Sequence, residues 1–124
     1  MLYAILCYNS EKTVFSWTKE QDEEVMRNLF VVQEKYAKAG KLGPVARLLP
    51  TTAATTLRKA KGESLVLDGP FAETKEQLLG FYTIEADDLE EAVGFAKELS
   101  DANPSGGSYE IRPVWVFSPV APTI

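Results

Sequence analysis

The residues best suited to chemistry lie together in one stretch, 68–77, which has the sequence DGPFAETKEQ. It combines a turn signal at Asp68-Gly69-Pro70 with the aromatic ring of Phe71 and the charged side chains of Lys75 and Glu76. Turns often carry functional groups, because the flanking segments hold them in position. A carboxylate there could transfer protons to or from an organic ligand, and a lysine could bind an anionic group.

Asp68 is the first candidate for a catalytic residue. At a strand end, facing a cleft lined by Phe71, Phe81 and Tyr82, its carboxyl group would lose water, which favours the protonated form and suits acid/base work. The alternative is that Asp-Gly is simply a turn. The carboxylate then accepts amide hydrogen bonds, and Gly69 takes a positive φ. The sequence leaves both interpretations open.

Other charged side chains are candidates for ligand binding. Lys75 and Glu76 could orient an anionic ligand, or they could pair across the surface and contribute little. Arg112 could clamp a ligand carboxylate with its planar guanidinium group, or it could form a buried structural ion pair. The possible partners of such a pair are Glu110, Asp68 and Glu76. The predicted ligand-binding residues are Gly69, Pro70, Phe71, Lys75, Glu76, Tyr82 and Arg112.

Two of the remaining polar side chains have simpler explanations. Tyr82 could donate a proton, but aromatic residues in strands more often belong to the core. Arg47 is the one cation inside the predicted strand Leu42–Leu49. An outward-facing side chain with its charge in water accounts for it.

The chain contains no histidine, and its single cysteine, Cys7, lies in the apolar run Leu2–Tyr8. Without imidazole, Ser-His-Asp catalysis and a histidine-ligated zinc or iron centre are excluded. Any proton transfer must therefore use carboxylates, tyrosines or lysines. A lone thiol in such a run usually behaves as a small buried hydrophobe. The carboxylates have no spacing that fixes a ligand set, so we expect neither a metal nor another cofactor.

The charge balance argues against nucleic acid as a partner. The chain has 124 residues, of which 13 are basic and 18 are acidic, for a net charge of −5. Its field therefore repels polyphosphate. The length fits one domain. The sequence shows neither a signal peptide nor an apolar run of about 18 residues, so we expect a cytoplasmic protein that does not bind membranes.

Hydrophobic periodicity and capping signals predict two helices and six strands. Thr18 and Gln21 have the spacing of a capping box, and Asp88 is a natural N-cap for the second helix. The predicted helices are Lys19–Ala39 and Leu89–Ser100. The predicted strands are Leu2–Tyr8, Leu42–Leu49, Thr52–Arg58, Ser64–Leu67, Leu78–Ala86 and Tyr109–Phe117.

This order is typical of a ferredoxin-like α+β sandwich with an inserted hairpin, in which two helices cover one face of an antiparallel sheet. Leu2–Tyr8, however, is apolar on both faces, and the last predicted strand adds Trp115, Val116 and Phe117. An open apolar sheet face of that size is an association surface. We therefore expect a homodimer of domains spanning 1–117, with 118–124 as an extended tail or a clasp on the neighbour.

The motif DGPF at 68–71 is followed by AETKEQLLGFY, and EIRPV stands at 110–114. With these motifs the chain closely resembles the DGPF-type branch of the YCII-related family, from Leu2 to about Val116. The resemblance implies a ferredoxin-like subunit that dimerises into an α+β barrel. A histidine–aspartate pair is suspected of catalysis in some YCII-related proteins, and it cannot form here. DGPF-type members also look like genomic companions of extracytoplasmic-function sigma factors.

Two hypotheses follow. In the first, the protein is a homodimer that binds a small organic acid in a cleft near the DGPF turn, with carboxylate acid/base chemistry at Asp68. In the second, it is a non-catalytic regulatory or interaction module in an extracytoplasmic-function sigma-factor pathway, and the DGPF turn is a structural corner. The absence of histidine and of any assembled nucleophile leaves open whether the protein is an enzyme.

Overall fold

The computed structural model describes residues 1–118 and contains three α-helices and six strands in that range. The helices are α1 (Glu11–Val14), α2 (Lys19–Lys38) and α3 (Leu89–Ala102). The strands are β1 (Leu2–Asn9), β2 (Leu42–Arg47), β3 (Thr55–Ala60), β4 (Glu63–Asp68), β5 (Gln77–Glu85) and β6 (Ser108–Pro113). A short 3₁₀ turn, Thr51–Ala53, precedes β3. Except for Ser118, the predicted tail lies outside the described residues.

Four of the strands form an antiparallel sheet in the order β2-β5-β1-β6, and β3 pairs with β4 as a separate hairpin. With the hairpin set aside, the chain order is β1, α2, β2, β5, α3, β6. This is the ferredoxin-like α+β arrangement, as predicted. No helix within residues 1–118 combines the length and the apolar character needed to cross a membrane.

The helices begin where local hydrogen-bonding signals predict. The Thr18 hydroxyl accepts a hydrogen bond from the Gln21 amide at 3.1 Å, and the Gln21 side chain accepts one from the Thr18 amide at 2.9 Å. This reciprocal pair satisfies two amide groups that a helix start leaves free. At α3, the Asp88 carboxylate accepts from the Glu91 amide at 2.8 Å. Both predicted N-caps are confirmed.

The core lies between the sheet and α3. Phe95 and Leu99 of α3 and Ile5 and Ile84 of the sheet are fully buried. The Phe95 ring packs edge-to-face on Tyr82, with the ring centres 5.6 Å apart. Burial of such side chains provides most of the driving force for folding, so this layer fixes α3 on the sheet.

The structure corrects several predicted element bounds. The last strand ends at Pro113, and not at Phe117, because its partner β1 begins at Leu2 and offers only one further bond, from the Val114 amide to the Leu2 carbonyl oxygen at 2.9 Å. Trp115 is consequently 97% exposed and is not part of the sheet. Strand β2 ends at Arg47, before the loop that leads to Pro50. The short helix α1 was not predicted, and Ser10 caps it through the Thr13 amide at 3.4 Å.

The hairpin of β3 and β4 turns at Lys61-Gly62, as predicted, and is exposed along most of its length. Apolar side chains on both strands are open to water, including Leu57, Val66 and Leu67. The hairpin therefore adds little to the core of a single subunit.

Candidate functional site

A cavity lies between α2 and the sheet, and its floor is a row of residues that crosses all four strands. Tyr109 of β6 pairs with Cys7 of β1, Cys7 pairs with Gly80 of β5, and Gly80 pairs with Arg47 of β2. All four residues line the cavity, which has a volume of about 130 Å³. We refer to it as the α2 cavity.

The centre of this row carries little side-chain volume. Gly80 has no side chain, and Cys7 contributes only a thiol. Phe95 of α3 fills the neighbouring part of the same layer, whereas α2 passes over the gap. The roof is built from side chains of α2 and of the segment before it, namely Val14, Trp17, Val25, Met26, Leu29 and Gln33.

The α2 cavity is large enough for one small ring. An engineered cavity of about 150 Å³ in another protein binds benzene. The walls here are mostly aliphatic and aromatic, with a few polar groups such as Gln33 and Asn103 among them. Apolar walls with a few placed polar groups are typical of sites that bind small organic molecules.

The thiol and phenol groups that line the cavity are neutral at neutral pH. Burial raises the pKa of the Cys7 thiol to about 12. Burial also raises the pKa of Tyr82 to about 12 and raises that of Tyr109. A thiol in this state is a poor nucleophile, because the thiolate is the reactive form. These groups can bind a ligand through neutral hydrogen bonds, but they are not poised for proton transfer near pH 7.

Arg47 supplies the formal charge at the cavity rim. Its guanidinium group pairs with the Asp22 carboxylate in the first turn of α2, with 2.8 Å between Nη2 and Oδ1 and 3.4 Å between Nη1 and Oδ2. The Arg47 side chain is 44% exposed. The charged group of Arg47 is thus partly in water, as expected, and it also joins the sheet edge to α2.

The structure separates the residues that the sequence nominated. Tyr82 lines the α2 cavity, but Asp68 and the other residues of the DGPF turn do not. Phe81 and Tyr82 are neighbours on β5 and point to opposite faces, so one cleft does not contain both. Phe71 is 76% exposed. The predicted cleft around Asp68 is thus not formed by these rings.

The DGPF turn is anchored to its own hairpin. Gly69 has a φ of +98°. Its amide donates to the Ala54 carbonyl oxygen at 2.7 Å, and its carbonyl oxygen accepts from the Thr56 hydroxyl at 2.8 Å. Asp68 lies at the exposed end of β4, opposite Thr55. This geometry matches the interpretation of a structural corner, in which Gly69 provides the positive φ.

The remaining nominated side chains lie at or near the surface. The Arg112 Nε donates to Glu110 Oε2 at 3.1 Å, and the Arg112 side chain is 66% exposed. The ion pair is therefore formed with one of the predicted partners, but it is not buried. Glu76 accepts a hydrogen bond from the Ser108 hydroxyl at 2.7 Å, and Lys75 is exposed. Pro70 is exposed as well.

Sequence reasoning missed the main residues of the α2 cavity, although signals for some of them were present. A glycine inside a strand, such as Gly80, often marks a close approach of backbone or ligand. An isolated cation in an apolar strand, such as Arg47, is a second signal. Nothing local indicates that Cys7 and Tyr109 meet beside these residues. Among residues 1–118, no three carboxylate or thiol groups are close enough together to hold a metal ion.

Comparison with known proteins agrees with this fold. The profile of the YCII-related domain matches residues 1–118. The chain belongs to the YCII-related family. An uncharacterised protein of Rhizobium meliloti (strain 1021) is 65% identical over 119 residues, which are 96% of each chain. Since that YCII-related relative is itself uncharacterised, the family relation gives the domain type, and the function has to be argued from the cavity.

Proposed function

We propose that this YCII-related protein binds a small organic molecule in the α2 cavity. The observation that carries the proposal is the half-open, mostly apolar space between α2 and the floor row of Tyr109, Cys7, Gly80 and Arg47. Packed protein interiors rarely leave a gap of this size, because empty space loses contact energy. The predicted small-molecule ligand is retained, but its proposed site is the α2 cavity and not the DGPF turn.

The proposed role is binding without chemical conversion. The raised pKa values of Cys7 and Tyr82 leave the floor without a thiolate or a phenolate at neutral pH. Asp68 lies outside the cavity. A general acid or base must come within hydrogen-bond reach of the reacting group, which this arrangement does not offer.

A ligand screen with a cavity-filling variant tests the proposal. Single-ring compounds are added to the wild type, and amide chemical shifts of residues around the α2 cavity are followed by NMR. Met26→Trp places a large ring into the roof, so binding should be lost. Val31→Trp, on the exposed side of the same helix, should bind like the wild type. Equal binding by both variants, or shifts elsewhere on the protein, would refute the proposed site.

We further propose that a second copy covers the sheet face opposite the helices. Leu6 of β1 pairs with Phe81 of β5 on that face, and both are only partly buried. Leu78 is also exposed. A sheet-to-sheet homodimer would bury these side chains, and stable interfaces usually bury roughly 800 Å² per partner.

Light scattering after gel filtration tests the homodimer. The wild type should have twice the subunit mass at micromolar concentration, and Phe81→Glu should shift it towards the monomer. Val31→Glu, on the exposed side of α2, should leave the mass unchanged. A monomeric wild type would overturn this proposal and leave the α2 cavity intact.

The exposed hairpin favours the second candidate function, a regulatory or interaction module. Leu57 and Val66 face each other across β3 and β4, and both are open to water. Apolar patches of this kind often bind other proteins. Co-elution with a purified extracytoplasmic-function sigma factor, lost in Leu57→Lys, would support this function, and separate elution would count against it. Membership of the DGPF-type branch, the sigma-factor link and a cytoplasmic location remain predictions.

A further inference from the structure

The charge distribution around the α2 cavity is one-sided. Of the described residues that line it, Arg47 alone carries a formal charge at neutral pH. The protein as a whole has a net charge of −5, so a cation beside an apolar cavity is a local exception. An apolar space with one positive group at its rim is complementary to an organic anion with a hydrophobic body.

Arg47 already pairs with a carboxylate of the protein itself, that of Asp22. The two oxygens of the Asp22 carboxylate face two nitrogens of the guanidinium group. This is the forked geometry by which arginine recognises carboxylates. Asp22 is 35% exposed, and ion pairs that remain open to water are weak. A ligand carboxylate can therefore replace Asp22 without a large loss.

Neutral donors line the cavity together with Arg47, namely the Tyr82 hydroxyl and the Gln33 amide. Burial raises the pKa of Tyr82, and an interaction with Gln33 and the positive charge of Arg47 oppose that rise. The other walls, such as Val25 and Leu29, are apolar. A ring would lie against these walls while its anionic group meets the donors.

We infer that the ligand of the α2 cavity is a single-ring organic carboxylate whose charged group pairs with Arg47 in place of Asp22. The inference rests on the proposed function and specifies its ligand class. Asp22 then acts as an internal competitor that occupies Arg47 when the cavity is empty. Removing its charge should strengthen binding, whereas removing the charge of Arg47 should weaken it.

Titration calorimetry with matched probes tests the inference. Benzoate is the anionic probe, and benzamide and benzyl alcohol are neutral probes of nearly the same shape. Benzoate should bind about tenfold more tightly than either neutral probe, because charge-assisted hydrogen bonds are the stronger ones. Arg47→Gln should remove that preference, and Arg47→Lys should retain part of it, because lysine keeps the charge but not the fork. Asp22→Asn should tighten benzoate binding and leave the neutral probes unchanged.

Two control variants separate charge at the site from charge in general. Arg27→Gln removes an exposed arginine of α2, and Glu23→Gln removes the exposed carboxylate that follows Asp22 on the same helix. Both should bind benzoate like the wild type. Urea unfolding of each variant checks that the protein is folded.

Each alternative result is decisive. Equal affinity for benzoate and benzamide, with no effect of Arg47→Gln, would overturn the carboxylate inference but leave small-molecule binding in place. Tighter binding of the neutral probes would do the same. If no single-ring compound of either kind binds, the proposed function falls together with the inference.

Discussion

Cys7 of β1 lies directly opposite Gly80 of β5 on the helix-facing side of the sheet. The Cys7 thiol is small and Gly80 has no side chain, so the pair fills little of the layer between the sheet and α2. The α2 cavity opens above this pair, and larger side chains at both ends of the row, Tyr109 and Arg47, enclose it. This small cross-strand pair lies at the centre of the floor of the candidate site.

The first prediction concerns the close approach of β2 to Gly80. A Cβ atom at Gly80 would collide with the carbonyl oxygen of Ala46 and lie 3.2 Å from the Arg47 Cα. These are backbone atoms and move only with the strand. Gly80→Ala should therefore lower the free energy of unfolding by about 1–3 kcal/mol in urea titrations. Gly94→Ala in α3 meets nothing within 4 Å and should raise it by about 0.5–1 kcal/mol. Equal stability of the two variants would contradict this account.

The second prediction concerns the core. Phe95 is fully buried and packs edge-to-face on both Tyr36 and Tyr82. Phe95→Ala should lower the free energy of unfolding by about 3–5 kcal/mol, because it removes buried surface and leaves a cavity. The matched change Phe30→Ala, at an exposed position of α2, should alter it by about 0.5 kcal/mol or less. Chemical denaturation of both variants measures the difference, and similar losses would argue against the assigned core.

The third prediction concerns the reactivity of the thiol. With its pKa raised to about 12 by burial, Cys7 has very little thiolate at pH 8. Labelling by a disulfide reagent should be at least about a hundredfold slower than for an exposed cysteine. The comparison protein carries Cys7→Ser together with Ser64→Cys on the exposed hairpin. Urea should restore normal labelling of Cys7. Fast labelling in the folded protein would show that the floor of the α2 cavity is open.

The fourth prediction concerns alkaline pH. The folded-state pKa of Tyr82 is raised from 10.0 to about 12, and that of Cys7 from 9.0 to about 12. Both groups ionise first in the unfolded chain, so their contribution to stability is complete below about pH 9 and is lost as the pH rises towards 12. Urea unfolding at pH 8 and pH 10.5 should show the decline. Tyr82→Phe should reduce it by roughly 1 kcal/mol. The same decline in both proteins would count against a buried Tyr82 hydroxyl.

The fifth prediction concerns the DGPF turn. Gly69 has a φ of +98°, which side chains rarely tolerate. Gly69→Ala should therefore destabilise the corner by about 1–2 kcal/mol, as measured by urea unfolding. Gly106→Ala, in a loop where an added Cβ meets nothing within 4 Å, is the control and should be close to neutral. If Gly69→Ala is equally neutral, the turn has another conformation in solution.

Short-range signals were sufficient for most of the secondary structure. The capping box of Thr18 and Gln21, the N-cap Asp88 and the hairpin turn at Lys61-Gly62 each act over a few residues, and all three are present in the structure. Strand ends were harder to predict. Strand β6 ends at Pro113 because its partner β1 begins at Leu2, although the apolar side chains beyond Pro113 indicate a longer strand.

The sequence by itself determined the family, the order of elements and the ferredoxin-like topology, because these depend on local hydrogen bonding and on the spacing of apolar residues. Only the tertiary structure decided where a ligand could fit. Cys7, Gly80, Arg47 and Tyr109 are far apart along the chain and meet through strand register, which a one-residue shift would undo. The conspicuous DGPF motif lies outside that row. The hydrogen bonds of Gly69 hold the backbone of the turn against Ala54 and Thr56.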